Sequence, residues 1–487
     1  MPKRNLIWIA AFIAVAVAAG VFVRRNPRTV PGEEDPDHRR FDPVVQAYRS
    51  LREHSYHPVN DHALQRGAVC GMAEAVDEFS SYVPPEHVGR FRSRLEGQVY
   101  GFGLEVERVD GSVRVIGSMA GSPAHRARIV GGERVLEIEG EEADGLTDQE
   151  ITEQLHGPAG EMIELVLMDA SGRRRRCELV RRRFTIETVL GFRRTEEGRW
   201  DHRLDAEGGI AYVRIREFVS ATVDRLRNVL SEVSGCRGLV LDLRSNPGGR
   251  LEAGFAAANL LLRKGVIFTR VDRTGRRESF GARADGTSPY VPTVVLIDGR
   301  SASAAEIVAG ALRLHDRAVL VGTRTRGKGF AQSTLVLPDG LGLINVTTAE
   351  IFVGIDRPIA RRAGRDTWGV QPHRRLTLTA RERRAIRRAW TAVEVADAEL
   401  PAPPNSATTQ PTTQPATRPA RPKRKAKALD RQLALAVRLL REKGRVDLIL
   451  TEAAAEREAE ADRLRRARQA AKAAGEANAT DDPDAHD

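Results

Sequence analysis

Apolar positions in this chain follow two patterns. Short unbroken runs at Gly238–Leu243, Thr293–Ile297 and Ala318–Gly322 read as strands buried on both faces. Other apolar residues recur at helical spacing. Val44, Val45, Tyr48 and Leu51 share one face of a largely helical stretch over 41–95, and residues 429–440 form an amphipathic helix. Ala304–Leu314 is predicted to be a helix that follows the strand at 293–297 across a short turn. Asp339-Gly340, between two alternating runs, predicts a hairpin turn. The pattern is that of an α/β protein.

The ends of the chain differ from its middle. Leu6 to Val23 is 18 residues without a charge, flanked by Lys3 and Arg4 and by Arg24 and Arg25. That length just spans a bilayer. Ala14-Val-Ala16 also resembles a signal-peptide cleavage site, but the apolar run continues past it, which favours an anchor. A polar linker follows at 26–40. Residues 401–427 are rich in Pro and Thr and read as a disordered linker. Helices, including an Ala/Glu/Arg-rich one at 452–475, and an acidic tail complete residues 428–487.

Composition adds little that is specific. The net charge of +11 (77 Lys+Arg against 66 Asp+Glu) is scattered, with clusters at Arg173–Arg176 and Arg418–Lys427. No nucleic-acid fold signature accompanies them, so they read as solvated surface rather than a nucleic-acid site. The three cysteines, Cys70, Cys177 and Cys236, are far apart and do not form a disulfide framework. His54, His57, His62 and Cys70 show no metal-binding spacing. No metal, nucleotide or other cofactor is implied.

The chemistry concentrates in three segments. Ser303 lies at a strand-to-helix turn, beside the unpaired backbone N–H groups of a helix start that can hold an oxyanion. Lys328 sits between two glycines after the strand ending at Gly322, with no acid in 324–336. A neutral lysine can serve as the base that a serine nucleophile needs. Asn246-Pro247-Gly248-Gly249 follows the strand at 238–243, and its glycines let backbone N–H groups approach a ligand closely.

Taken in order, LDLRSNPGG at 241–249, SASAAEIVAGAL at 301–312 and GKGFAQ at 327–332 resemble the carboxy-terminal processing proteases, also called tail-specific proteases. The resemblance runs from about residue 42 to 373. It implies a ClpP/crotonase-like α/β catalytic domain at 184–380, a β-rich PDZ domain at 96–183 and a helical N-terminal region at 41–95. It makes Ser303 the nucleophile, Lys328 the base and Gln332 the residue that orients the lysine. The oxyanion donors would be the N–H of Ala304 and that of Gly248 or Gly249. Gly101, Phe102, Gly103 and Leu104 would form the PDZ loop that receives a substrate carboxylate, with a helix over 147–156 lining the groove. The expected activity is endoproteolysis of proteins with exposed, apolar C-termini. The resemblance also implies an extracytoplasmic, periplasmic catalytic domain held at the membrane by the N-terminal segment, and a homodimer formed through the helical region.

The chain departs from that pattern at Leu314 and His373, where relatives carry acids, at Arg128, where a glycine is usual, and at Glu133, where aspartate is usual. Two other arrangements of the nucleophile are open: Ser301 in place of Ser303, and a Ser/His/Asp set using His315 and Asp316. Two rival functions compete with proteolysis, a catalytically silent peptide-binding scaffold and a crotonase-type acyl-CoA enzyme. The intact Ser303, Lys328 and Gln332 argue against the scaffold, and the PDZ-like insertion with the dyad argues against the acyl-CoA enzyme.

Overall fold

A computed structural model describes residues 36–155, 160–195, 198–204, 209–284, 291–394, 430–442 and 444–459. The apolar segment 6–23, the stretch 401–427 and the acidic tail lie outside the described residues. Among the described residues, no helix is long and apolar enough to cross a membrane. The chain divides into two compact units, residues 1–82 and 83–487.

The first unit contains α1 (Pro36–His54) and α2 (Asp61–Glu74). The Asn60 side chain caps α2 by accepting from the Ala63 N–H at 3.1 Å. Phe41, Val44, Val45 and Leu51 leave an apolar face of α1 exposed.

The second unit opens with α3 (Pro85–Leu95) and a small β domain. This domain comprises β1 (Gln98–Gly101), β2 (Leu104–Val109), β3 (Ser112–Ser118), α4 (Pro123–Arg126), β4 (Arg134–Ile138), α5 (Asp148–Leu155), β5 (Met162–Met168), β6 (Arg174–Val180) and β7 (Arg182–Thr185). Strands β2, β3, β4, β5 and β6 pair in that order, all antiparallel, and β2 is an edge. Period-2 alternation sends Ile163, Leu165, Leu167, Cys177 and Leu179 inward against Phe102, Val115 and Ile151. Strands β1 and β7 pair antiparallel, so the chain enters and leaves the domain through a two-stranded ribbon. Two departures have local explanations. Glu133 is buried and accepts from the Arg175 guanidinium and the Val130 N–H. Arg128 adopts φ 53°, a left-handed conformation that glycine takes without strain.

The α/β domain contains β8 (Val189–Leu190), β9 (Ile210–Ile215), α6 (Thr222–Glu232), β10 (Gly238–Asp242), α7 (Leu251–Leu261), β11 (Val266–Asp272), β12 (Arg277–Gly281), β13 (Thr293–Ile297), α8 (Ala304–Leu314), β14 (Val319–Gly322), β15 (Phe330–Val336), β16 (Leu343–Val353), β17 (Arg374–Arg375), α9 (Ala380–Glu394) and α10 (Arg431–Arg441). The central sheet runs β8-β9-β10-β13-β14-β17 and is parallel except at β8. Every residue of β9, β10, β13 and β14 is buried, including the charged Arg214 and Asp242, as strands covered on both faces require. A second sheet pairs β15 with β16, β16 with β11 and β11 with β12. The turn between β15 and β16 forms at Pro338–Gly340, with Asp339 at φ 53°.

One face of the central sheet carries Val213, Leu241, Val295 and Leu320 against α6, α7 and α8. The other face carries Tyr212, Val240, Val294, Leu296, Val319 and Val321. That face is covered by Ala436 and Leu439 of α10 and by Val446, Ile449 and Leu450. The amphipathic helix that follows the 401–427 linker is therefore part of the α/β core. A parallel sheet needs both faces covered, and α10 supplies the second layer.

Candidate active site

The three motif loops meet at the C-terminal ends of β10, β13 and β14. Ser303 is the N-cap of α8 and adopts φ 54°, ψ −119°, a strained conformation for any residue but glycine. The strain is held by flanking bonds. The Ala302 N–H donates to the Asn246 carbonyl at 2.9 Å, and the Ser303 N–H donates to Glu306 Oε2 at 2.8 Å. Ala304 is the first residue of the helix, and its N–H has no acceptor among the described residues.

The turn at 246–249 is built on buried Asn246. Its Nδ2 donates to the Ile215 carbonyl at 2.8 Å, and its Oδ1 accepts from the Gly248 N–H at 2.8 Å. The Gly248 N–H is thereby turned inward. A Cβ at Gly248 would lie 2.7 Å from Ser303 Cβ, so only glycine lets the turn approach the serine. Phe218 grips either side of Gly249. Its N–H donates to the Gly248 carbonyl at 2.8 Å, and its carbonyl accepts from the Arg250 N–H at 2.7 Å. The N–H of Gly249 itself has no acceptor among the described residues.

Glu306 connects the serine loop to the lysine loop. It is fully buried. Oε1 accepts from the Thr325 hydroxyl at 2.6 Å and the Gly327 N–H at 2.7 Å; Oε2 accepts from the Ser303 N–H at 2.8 Å and the Lys328 N–H at 2.9 Å. All four partners are donors, which suits an ionised carboxylate. Burial nonetheless pushes its pKa above the usual carboxylate value, against the pull of those bonds. Lys328 is half-buried. Gln332, near the start of β15, donates to the Phe330 carbonyl at 3.3 Å and to Thr347 at 3.4 Å.

Beneath the 246–249 turn lies a buried ion cluster. The Arg244 guanidinium bonds both oxygens of Asp242, both oxygens of Asp430 and the Gln432 side chain. Tyr212 donates to Asp242 at 2.8 Å. Burial pushes Asp242 up, but Arg244 outweighs it and holds the carboxyl below its usual range. Sequence reading passed over Glu306, Asp242, Arg244 and Asp430. Glu306 carried a usable signal, because Ser303-x-x-Glu306 is a capping-box spacing.

The alternative nucleophile arrangements do not assemble. Ser301 is buried, with its hydroxyl donating to the Leu243 carbonyl at 2.8 Å and accepting from the Asp298 N–H at 3.0 Å. His315 follows the far end of α8, an 11-residue helix, about 16 Å from its start. There its ring bonds the Val266 carbonyl, and Asp316 pairs with Arg457. His373 serves as a structural acceptor. Its Nδ1 accepts from the Leu320 N–H at 2.9 Å.

In the small domain, Gly101 and Phe102 are buried, with Phe102 in the core. Gly103 adopts φ 68° and packs on Ser122. The carbonyls of Phe102 and Gly103 accept from Ala124 and Met119, and Leu104 opens the edge strand β2. Arg108 of β2 reaches Asp148 at the start of α5 at 3.0 Å.

Comparison with known proteins follows these features. Residues 209–375 match Peptidase family S41. A carboxy-terminal-processing protease of Bartonella bacilliformis is 31% identical over 360 residues, which cover 71% of this chain and 78% of that protein. The carboxy-terminal processing protease CtpA of Bacillus subtilis is 27% identical over 352 residues, covering 71% of this chain and 72% of its own. A photosystem II D1 C-terminal processing protease of known structure is 27% identical, with a TM-score of 0.41, and the match covers 68% of this chain and 92% of that one. The class so defined is a serine-type peptidase on a mixed α/β fold. The chain belongs to the carboxy-terminal processing protease family.

Proposed function

We propose that this peptidase cuts proteins near their C-termini through a Ser303/Lys328 dyad. The observation that carries the reading is the Glu306 carboxylate, which bonds the backbones of both residues at once. It holds the two loops in fixed register, as a nucleophile and its base require. Ser303 Oγ attacks the peptide carbonyl while Lys328 Nζ takes its proton, and the same lysine then protonates the leaving amine. Gln332 orients the lysine. The tetrahedral oxyanion sits between the N–H groups of Ala304 and Gly249. Gly249 is preferred to Gly248 because the Gly248 N–H already serves Asn246.

The α/β domain is read as a ClpP/crotonase-like catalytic domain and the small β domain as a PDZ domain. A substrate C-terminus would add as a strand to the free edge of β2, between β2 and α5, with its carboxylate at residues 101–104. The N-terminal segment would hold the enzyme at the extracytoplasmic face of a membrane, and the exposed face of α1 would pair two copies.

The test is cleavage of an unstructured protein with an apolar C-terminus by the full-length enzyme, beside Ser303→Ala and Lys328→Ala variants of equal thermal stability. Loss of about 10³-fold or more in both is expected. Equal cleavage by parent and variants would remove the dyad. A rate that rises with pH as the lysine loses its proton is expected where chemistry limits turnover.

A further inference from the structure

We propose that Arg326 and Arg361, backed by Arg324, form a cationic rim that selects an acidic stretch of polypeptide at the bond to be cut. The inference rests on the Ser303/Lys328 assignment, because it is the placement of these arginines around those two loops that gives them a role.

Their backbones are tied to the reacting segments. The Arg326 N–H donates to the carbonyl of Ser301, two residues before Ser303, at 2.9 Å. The Arg361 N–H donates to the carbonyl of Gly327, one residue before Lys328, at 2.9 Å. Trp368 packs so closely on Gly327 that a Cβ there would lie 2.7 Å from its ring. The guanidinium carbons of Arg324 and Arg361 lie 4.6 and 5.0 Å from the centre of that ring. Stacking of this kind limits the rotamers of an arginine; Arg324 is held further by donating to the Gln371 side-chain oxygen, while Arg361 keeps its donors for a ligand.

Three acids of the neighbouring segments, Glu350, Asp298 and Glu306, are already engaged. Glu350 pairs with Arg362 at 2.7 Å and Arg365 at 2.6 Å. Asp298 accepts from the N–H groups of Ser245, Arg300 and Ser301. Glu306 is enclosed. Arg326 and Arg361 are exposed, and neither they nor Arg324 has an acidic partner among the described residues. A carboxylate side chain on a bound polypeptide supplies the missing charge, with bidentate geometry that guanidinium groups favour. Recognition would then have two parts: an apolar tail on the small domain and an acidic segment at the site of cutting.

The experiment uses full-length enzyme and three peptides that differ only in residues flanking the cut: Glu, Gln or Lys. A preference of about tenfold in kcat/KM for the Glu peptide over the Gln peptide is expected. It should be carried mainly by KM, with the Lys peptide poorest and the preference fading at high salt. In the Arg326→Gln/Arg361→Gln double variant the Glu-to-Gln ratio should collapse to about one, and Arg326→Lys should retain part of it. Binding of the same peptides to Ser303→Ala, followed by fluorescence anisotropy, reads the preference without turnover. Equal kcat/KM and equal binding for the Glu and Gln peptides would overturn the rim while leaving the dyad intact. Undiminished cleavage by Ser303→Ala would instead overturn the reading beneath it.

Discussion

The Ser303 and Lys328 loops of the α/β domain and the attachment of the small β domain are both organised by charge, but in opposite ways. Around the loops the acids are buried and fully bonded. Glu306 and Asp242 are each 0% exposed, and Asp430 is buried against Arg244. The small domain is joined through the β1/β7 ribbon and through ion pairs open to water. Arg216, just past β9, meets Glu105 of β2 at 3.1 Å, both side chains 31% exposed, and Arg388 of α9 meets Glu107 at 3.5 Å. Removing one partner of a buried pair strands a charge or several donors, whereas an exposed pair exchanges its partner for water at little cost. The loops are therefore set by buried bonds, and the small domain is fastened by its ribbon and by pairs nearer the surface.

The sharpest way to break this contrast is Glu306→Ala. It leaves the Ser303, Gly327 and Lys328 N–H groups and the Thr325 hydroxyl without their acceptor, so both loops lose their register. Activity should fall by about 100-fold or more, chiefly in kcat, with a smaller loss for Glu306→Gln, which keeps one acceptor oxygen. Near-normal kcat in Glu306→Ala would mean the carboxylate is not what sets the site.

Arg244→Ala should come next. It strands Asp242 and Asp430 and loosens α10 from the sheet, at about 3–5 kcal/mol in chemical denaturation. Faster amide exchange over 431–441 would mark where the loosening occurs.

His373 gives a pH-dependent effect. Burial, reinforced by Arg313, Arg457 and Arg374, lowers its pKa from 6.5 to about 3. Below pH 6.5 the unfolded chain binds a proton there that the folded chain refuses. The stabilisation is thus complete above pH 6.5 and lost as pH falls toward 3. Tm should drop between pH 7 and pH 5, and His373→Leu should flatten that drop; an unchanged slope would assign it to other groups.

The smallest effect is expected from Arg388→Ala, because its pair with Glu107 is exposed on both sides. Stability should change by less than about 1 kcal/mol, while protection of β2 in hydrogen exchange falls. A loss of several kcal/mol would show that the small domain is fastened as firmly as the loops.

Local pattern was enough to reveal the buried strands, the helix after Ser303, the 338–340 turn and the three motif loops, because each depends on residues close together in sequence. Apolar runs, glycines and a helix start act over a few positions. That is also why Ser303, Lys328 and the glycine turn could be named from sequence alone. The choice between Gly248 and Gly249 could not be made there, since it depends on which way the Asn246 side chain turns.

Sequence by itself determined the α/β class, the family and the candidate reacting residues. Tertiary structure decided what holds them. Arg244 and Asp430 are 186 positions apart with a low-complexity stretch between them, and Glu306 reaches Lys328 across 22 residues. Such pairings follow from burial of charged groups away from water, where each must find a partner wherever the fold brings one. The same need to cover a two-faced parallel sheet drew α10 back across the linker onto the core.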